Sequence, residues 1–442
     1  MEAGARVSVT RAELVEAQLL KTIGRLAASN GIGQAILLVS MALLARMYGP
    51  AQFGVYGAML AFGSMFTAVA TLQMHLALVL PQHDEVATDL LRIGVAATCG
   101  CALVGGLCGV LVGKAIWGTS DLLVTVCCAG WAAVSSLSRL YQGWFTRKGE
   151  FAAVSLWAVI RAAAIVAAQL ALGLRHVAGG LVLGALVGEI TALAYLVSSR
   201  HTPALSRLCR VGRPQLLGRR VVEFRDFAVV GTVQEFISTA SFSMPLLIIN
   251  SAYTTAVGGQ FAMAQRLVWT PVAMLGGAMA QVIYHRLALA ERSELRQSPA
   301  LRVGRWAAPA LAAGIVAAAS MRHMFPLLLG RKWAPAGDMA GYLVLWGVAF
   351  LAAVPYRVCY RVLRLQHLQL LVDLCVLGAF LSFLGVARVV APATLVRLLV
   401  VVGLLQNLGL SAIIRSALRG TTAEARRRST ASIAPSAADG SF

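Results

Sequence analysis

The chain has 442 residues, 59% of them hydrophobic and only 13% charged, with a formal net charge of +20. That apolar share exceeds the roughly 45–50% of soluble globular domains, so a soluble enzyme or binding module is excluded. The basic residues fall almost wholly between apolar runs, which excludes a nucleic-acid-binding domain and points to membrane orientation.

The start, Met1 to Lys21, is polar and mixed in charge, so no cleavable signal peptide is expected before the first span. A span needs about 20 mostly apolar residues. Twelve such runs follow, over 24–46, 54–80, 88–112, 120–142, 151–172, 178–198, 227–250, 257–284, 302–320, 337–357, 367–387 and 392–414. The expected fold is all-α and polytopic, with a central cavity between two six-helix lobes. Its parts are an N-terminal lobe 1–198, a basic cytoplasmic linker 199–225, a C-terminal lobe 226–414 and a disordered, Ser-, Thr- and Ala-rich tail 415–442. Most of the eight cysteines lie inside apolar runs, so neither a disulfide framework nor a metal site is indicated, and no cofactor is expected.

Lys and Arg set the orientation. With the N-terminus inside, inner segments hold 28 of them and outer segments 7, with Arg161, Arg266 and Arg397 left in the spans. Both termini are therefore expected in the cytoplasm.

The two halves repeat. Gly49-Pro50 breaks the first apolar run, and Gln52-Phe53-Gly54-Val55-Tyr56 is echoed by Val257-Gly258-Gly259-Gln260-Phe261. The pairs Gly54/Gly259 and Tyr56/Phe261 both lie 205 residues apart. Gly113-Lys114 through Trp117 to Asp121 similarly parallels Gly330-Arg331 through Trp333 to Asp338. Six spans per half make the repeats parallel, related by an axis along the membrane normal. Two lobes with a crevice between them suit transport across a bilayer.

Four stretches together resemble a known family: Leu43-Leu-Ala-Arg-x-x-Gly-Pro-x-x-Phe-Gly-x-Tyr56; Leu78-Val-Leu-Pro81 leading to Asp84-Glu85-x-Ala87-x-x-Leu90; Phe261-x-x-Ala264-Gln265-Arg266-Leu267-x-x-x-Pro271; and Leu328-Leu-Gly330-Arg-Lys-Trp333-Ala-Pro-Ala336. The chain resembles bacterial polysaccharide flippases of the Wzx type, in the superfamily that also contains multidrug exporters and the lipid II flippase. The likeness covers residues 20–415. It implies a V-shaped transporter of the inner membrane that carries an undecaprenyl-diphosphate-linked oligosaccharide to the periplasmic leaflet by alternating access. It further implies a monomer without covalent chemistry, in contact with membrane lipids, a polysaccharide polymerase and glycosyltransferases. Where many relatives carry Arg-Tyr-Glu or a glycine, this chain has Gln73-Met74-His75, so no acidic group is assumed there.

A charge at bilayer depth costs roughly 2.5–3.5 kcal/mol, so each one needs a partner or a cavity. Arg161 and Glu189 lie at depths that agree within about 3 Å at 1.5 Å rise per residue. They read as a structural ion pair, or as an ion-coupling carboxylate with a releasable arginine. Glu235 and Arg266 form a looser version in the second half. Asp373 is a further ion-coupling candidate, with Arg397 its one available partner. A diphosphate matches the forked donors of guanidinium, so Arg266, with Arg25 near the inner mouth, is expected to bind it. Asn30, Gln34, Gln73, Gln265 and Asn250 are expected to offer neutral hydrogen bonds to sugar, or to act as helix-to-helix contacts. His75 reads first as a packing residue, with pH sensing the alternative. The competing functions are a cation-coupled small-molecule exporter and a polysaccharide polymerase or ligase.

Overall fold

Apolar runs of this length become helices because a backbone in hydrocarbon must satisfy its amides and carbonyls within its own segment. The computed structural model describes residues 31–117, 121–200, 202, 214–288, 304–363 and 365–432, and all regular structure among them is helical. The helices are α1 (Gly31–Met47), α2 (Pro50–Ala70), α3 (Met74–Ala77), α4 (Asp84–Trp117), α5 (Leu122–Arg147), α6 (Phe151–Leu174), α7 (Gly180–Val197) and α8 (Pro214–Glu223). They continue as α9 (Thr232–Ala252), α10 (Thr255–Ala288), α11 (Gly304–Leu329), α12 (Ala334–Val362), α13 (Gln366–Val386) and α14 (Pro392–Ser432). Eleven of these, taken with the π turn Asp226–Gly231 before α9 and the 3-10 turn Arg331–Trp333 before α12, are long and apolar enough to cross a membrane. The helix α1 is the described part of the expected first span, and Arg25 and Asn30 lie outside the described residues.

Two boundaries differ from expectation. The second span ends at Ala70 rather than near residue 80, because Leu72 and Gln73 take φ of 48° and 54° and turn the chain into the short α3. That new course brings the His75 carbonyl against α5 at Gly143, where a methyl group would collide with it. The last helix runs to Ser432, through the first part of the tail expected to be disordered. Thr421-Thr-Ala-Glu-Ala-Arg-Arg-Arg is rich in good helix formers and simply extends the span.

Within the first half, Gly180, Gly184 and Gly188 form a small-residue ridge on α7. It lets α7 lie against the α6 backbone at Gln169 and Ile165, closer than any side chain would permit. Between the halves, α2 packs on α9 and α10. The tightest crossing joins the repeated glycines: a methyl on Gly54 would strike the Thr255 carbonyl, and one on Gly259 the Pro50 carbonyl. Thr255 and Pro50 are themselves 205 residues apart, so the crossing is symmetric about the axis that relates the halves.

The Gly49 end of the molecule is tied further across the lobes. Lys332 Nζ donates to the carbonyls of Tyr48 (3.0 Å) and Arg46 (3.3 Å), and Trp333 Nε1 to that of Ala45 (3.0 Å). These are orphan carbonyls at the end of α1, so the contacts also cap that helix. At the opposite end, Leu217, Val221 and Phe224 of α8 and the following turn pack on the N-lobe cluster of Met74, Leu78, Leu91 and Phe145.

Candidate functional site

The glycine ridge sets the register of the first charged pair. With Gly188 against Ile165, Glu189 faces Arg161, whose Nε donates to Glu189 Oε1 at 2.6 Å and whose Nη2 reaches the same oxygen. Glu189 is fully buried and its Oε2 has no hydrogen-bond partner among the described residues, whereas the Arg161 side chain keeps 27% of its surface accessible. The Arg161 guanidinium also lies 5.7 Å from the centre of the Trp157 ring.

Arg266 departs from expectation. It does not pair with Glu235; its Nη1 donates to the Tyr56 hydroxyl at 3.2 Å, and its guanidinium lies 5.7 Å from that ring's centre. Arg266 belongs to α10 and Tyr56 to α2, so this contact crosses the seam between lobes. Tyr56 is in turn within electrostatic reach of Arg161. Glu235, early on α9, instead faces the field of Arg139 on α5, which also feels Arg161 and Glu189. Among the described residues, Arg139, Arg161, Glu189 and Glu235 thus share one field, and Arg266 joins them through Tyr56, three guanidinium groups against two carboxylates. Among the described residues Arg266 has no carboxylate within ion-pair distance. Arg139 was not singled out by sequence because it read as part of an inner connection. It lies eight residues, roughly 12 Å, inside the end of α5.

A second polar group lies wholly within the C-lobe. Asp373 on α13 accepts from Gln406 Nε2 at 2.8 Å and lies in the field of Arg357 on α12. Arg357 Nη2 donates to Asn407 Oδ1 at 3.2 Å. The expected partner Arg397 points elsewhere, donating to the Tyr342 hydroxyl at 2.9 Å. Arg357, counted from sequence among the cations of the inner segments, is the cation whose charge acts on Asp373.

The neutral candidates scatter. Gln265 is buried and donates to the Phe242 carbonyl at 3.2 Å, joining α10 to α9. Gln73 is buried in the left-handed turn after α2 and donates to the Ala68 carbonyl at 3.3 Å. Asn250 donates across the lobes to the Ile116 carbonyl at the end of α4, near the Gly49 end. Gln34 is exposed on α1. None of Gln73, Gln265 and Asn250 joins the arginine cluster. His75 accepts or donates one bond with Thr71 Oγ1 at 3.0 Å; burial and the positive charge of Arg139 push its imidazole down to about 4. It stays neutral near pH 7, which suits packing rather than sensing.

A cavity of about 570 Å³ lies between α1, α10, α11 and α12. Its walls are apolar, with Met41, Leu267, Pro271, Met324, Phe325 and Val344 among them. Leu267 and Pro271 place it on the same helix as Arg266. Among the described residues no group of three or more His, Cys, Asp or Glu side chains is disposed to hold a metal.

A family model described as polysaccharide biosynthesis protein matches residues 19–288, and the chain belongs to that family. Among solved structures it is similar to "Lipid II flippase MurJ, inward closed conformation", with a TM-score of 0.72 at 10% identity, covering 88% of this chain and 87% of that one. It is also similar to an inward-facing multidrug resistance MATE family transporter of the MOP superfamily, with a TM-score of 0.59 at 11% identity over 89% and 96%. A third is a mutant of the Vibrio cholerae MATE transporter VcmN, with a TM-score of 0.55 at 13% identity over 93% and 98%. A search of curated protein sequences finds no match. The fold is therefore one that a lipid flippase and multidrug transporters share.

Proposed function

We propose that this protein flips an undecaprenyl-diphosphate-linked oligosaccharide from the cytoplasmic to the periplasmic leaflet of the inner membrane, by alternating access, for surface polysaccharide assembly. The observation that carries the reading is the surplus of guanidinium at the seam. Among the described residues Arg266 has a tyrosine but no carboxylate for company, and an anionic headgroup answers that imbalance better than a cation does. Membership of a polysaccharide biosynthesis family supports a glycan rather than a drug as cargo. In this reading both termini are cytoplasmic, the Gly49 end is periplasmic and closed, and Glu189 or Asp373 is the ion-coupling group. A polymerase and glycosyltransferases supply and consume the cargo, and the protein itself makes and breaks no covalent bond.

The apolar, methionine-bearing cavity beside α10 favours a second reading, export of small apolar molecules. One pair of experiments separates them. A deletion strain is expected to accumulate lipid-linked repeat units on the cytoplasmic face, and Arg266→Ala is expected to fail to complement it while reaching the membrane in normal amount. Normal polymer output from that variant removes Arg266 from the site. Dye export lost on deletion, with polymer intact, favours the exporter.

A further inference from the structure

Tyr56 has one hydrogen-bonding capacity left over. Arginine carries donors and no acceptor, so the 3.2 Å contact must run from Arg266 Nη1 to the phenol oxygen. The phenol's own hydrogen is not used in that bond, and among the described residues it has no acceptor. Tyr56 is only 3% exposed; its oxygen is satisfied by Arg266, and in so enclosed a place only its hydrogen is left over. The acceptor is therefore expected from outside this set of residues.

The internal repeat supplies a control. The counterpart of Tyr56 is Phe261, which is wholly buried, and the counterpart of Arg266 is Ala61. Both aromatic residues follow a glycine of the same crossing by two positions, so a ring alone fills this place in the fold. Hydroxyl and guanidinium occur together, in one of two related settings. Packing explains the ring and Arg266 explains the phenol oxygen, which leaves the hydroxyl hydrogen without an assigned use.

We infer that the Tyr56 hydroxyl is a direct ligand of the cargo's diphosphate, donating its hydrogen to a phosphate oxygen held by Arg266, an assignment that rests on the flippase reading above. An ionised phosphate oxygen only accepts, so it takes the Tyr56 hydrogen without competing for the lone pair that Arg266 already uses. Donation from Arg266 into the phenol oxygen polarises the O–H bond and strengthens its own donation. Tyr56 stands on the N-lobe and Arg266 on the C-lobe. One phosphate touching both joins the lobes at the moment of loading.

The test is binding of undecaprenyl diphosphate, with undecaprenol as the uncharged control, to full-length protein in detergent. Tyr56→Phe keeps the ring that Phe261 shows to be sufficient. It is expected to raise the Kd for the diphosphate about tenfold, the effect of one hydrogen bond to a charged group. The Kd for undecaprenol and the thermal midpoint without lipid are expected to stay as in the wild type. Unchanged or tighter diphosphate binding by Tyr56→Phe overturns the inference, as does equal weakening for both lipids or a lowered midpoint with no selective loss. If Arg266→Ala loses the diphosphate while Tyr56→Phe does not, the flippase reading stands and this inference alone falls. If the wild type binds the diphosphate no better than undecaprenol, both fall.

Discussion

Glu189 is wholly enclosed, with one oxygen bonded to Arg161 and the other without a partner among the described residues, while the Arg161 side chain keeps 27% of its surface accessible. The two partners therefore differ in what their loss leaves behind. Arg161→Ala strands a carboxylate in the protein interior, where an unpaired charge costs about 3–5 kcal/mol. Glu189→Ala leaves a cation that is less enclosed and rests on the Trp157 ring. Arg161→Ala is expected to lower membrane abundance and the detergent thermal midpoint more than Glu189→Ala, and the opposite order refutes this account. This pair was legible in the sequence, because two opposite charges at matching depth on consecutive spans constrain each other. The Arg266 contact was not. Its partner lies 210 residues away in the other lobe, and nothing about a tyrosine in an apolar run marks it as the end of a polar contact. The neutral residues left two readings open for a related reason: an amide in a span has the same composition whether it meets sugar or, like Gln265, a neighbouring carbonyl.

At the scale of elements, α2 and α10 touch at two glycines, and that contact sets how near the lobes approach at the Gly49 end. Gly54→Val or Gly259→Val inserts side-chain volume where the opposing carbonyl already stands, and the crossing opens rather than yields. On a cysteine-free background, Ala262→Cys, which sits where a side chain on Gly57 would meet α10, is expected to react faster with a soluble maleimide in detergent in either valine variant. Equal labelling rates would mean that the glycines do not hold the seam. The sequence displayed both glycines and their common spacing, but a spacing in sequence does not say that two repeats face one another across their axis. The ridge Gly180, Gly184, Gly188, which was not read from the sequence, carries the packing of α7 on α6. The break after Ala70 was not visible, since Leu72 and Gln73 are residues that normally avoid the conformation they adopt and take it only because tertiary packing imposes it.

Over the whole molecule, composition and the rhythm of apolar runs sufficed for the architecture, because a bilayer leaves a hydrophobic chain few ways to satisfy its backbone. The charged interior was harder to foresee, since Arg139 and Arg357 looked like residues of connections and lie deeper than that. The connection between lobes has its own consequence. The halves are fastened by the glycine crossing, by Lys332 and Trp333 on the end of α1, by Asn250 on the end of α4, and by α8 reaching back to the N-lobe. None of these contacts depends on the peptide chain running unbroken from residue 199 to 214. Two polypeptides, one ending at Ser199 and one beginning near Pro214, are expected to co-purify after joint expression and to restore polymer export in the deletion strain. Failure to recover them as a pair would mean that the tether, and not the interface, keeps the halves in company.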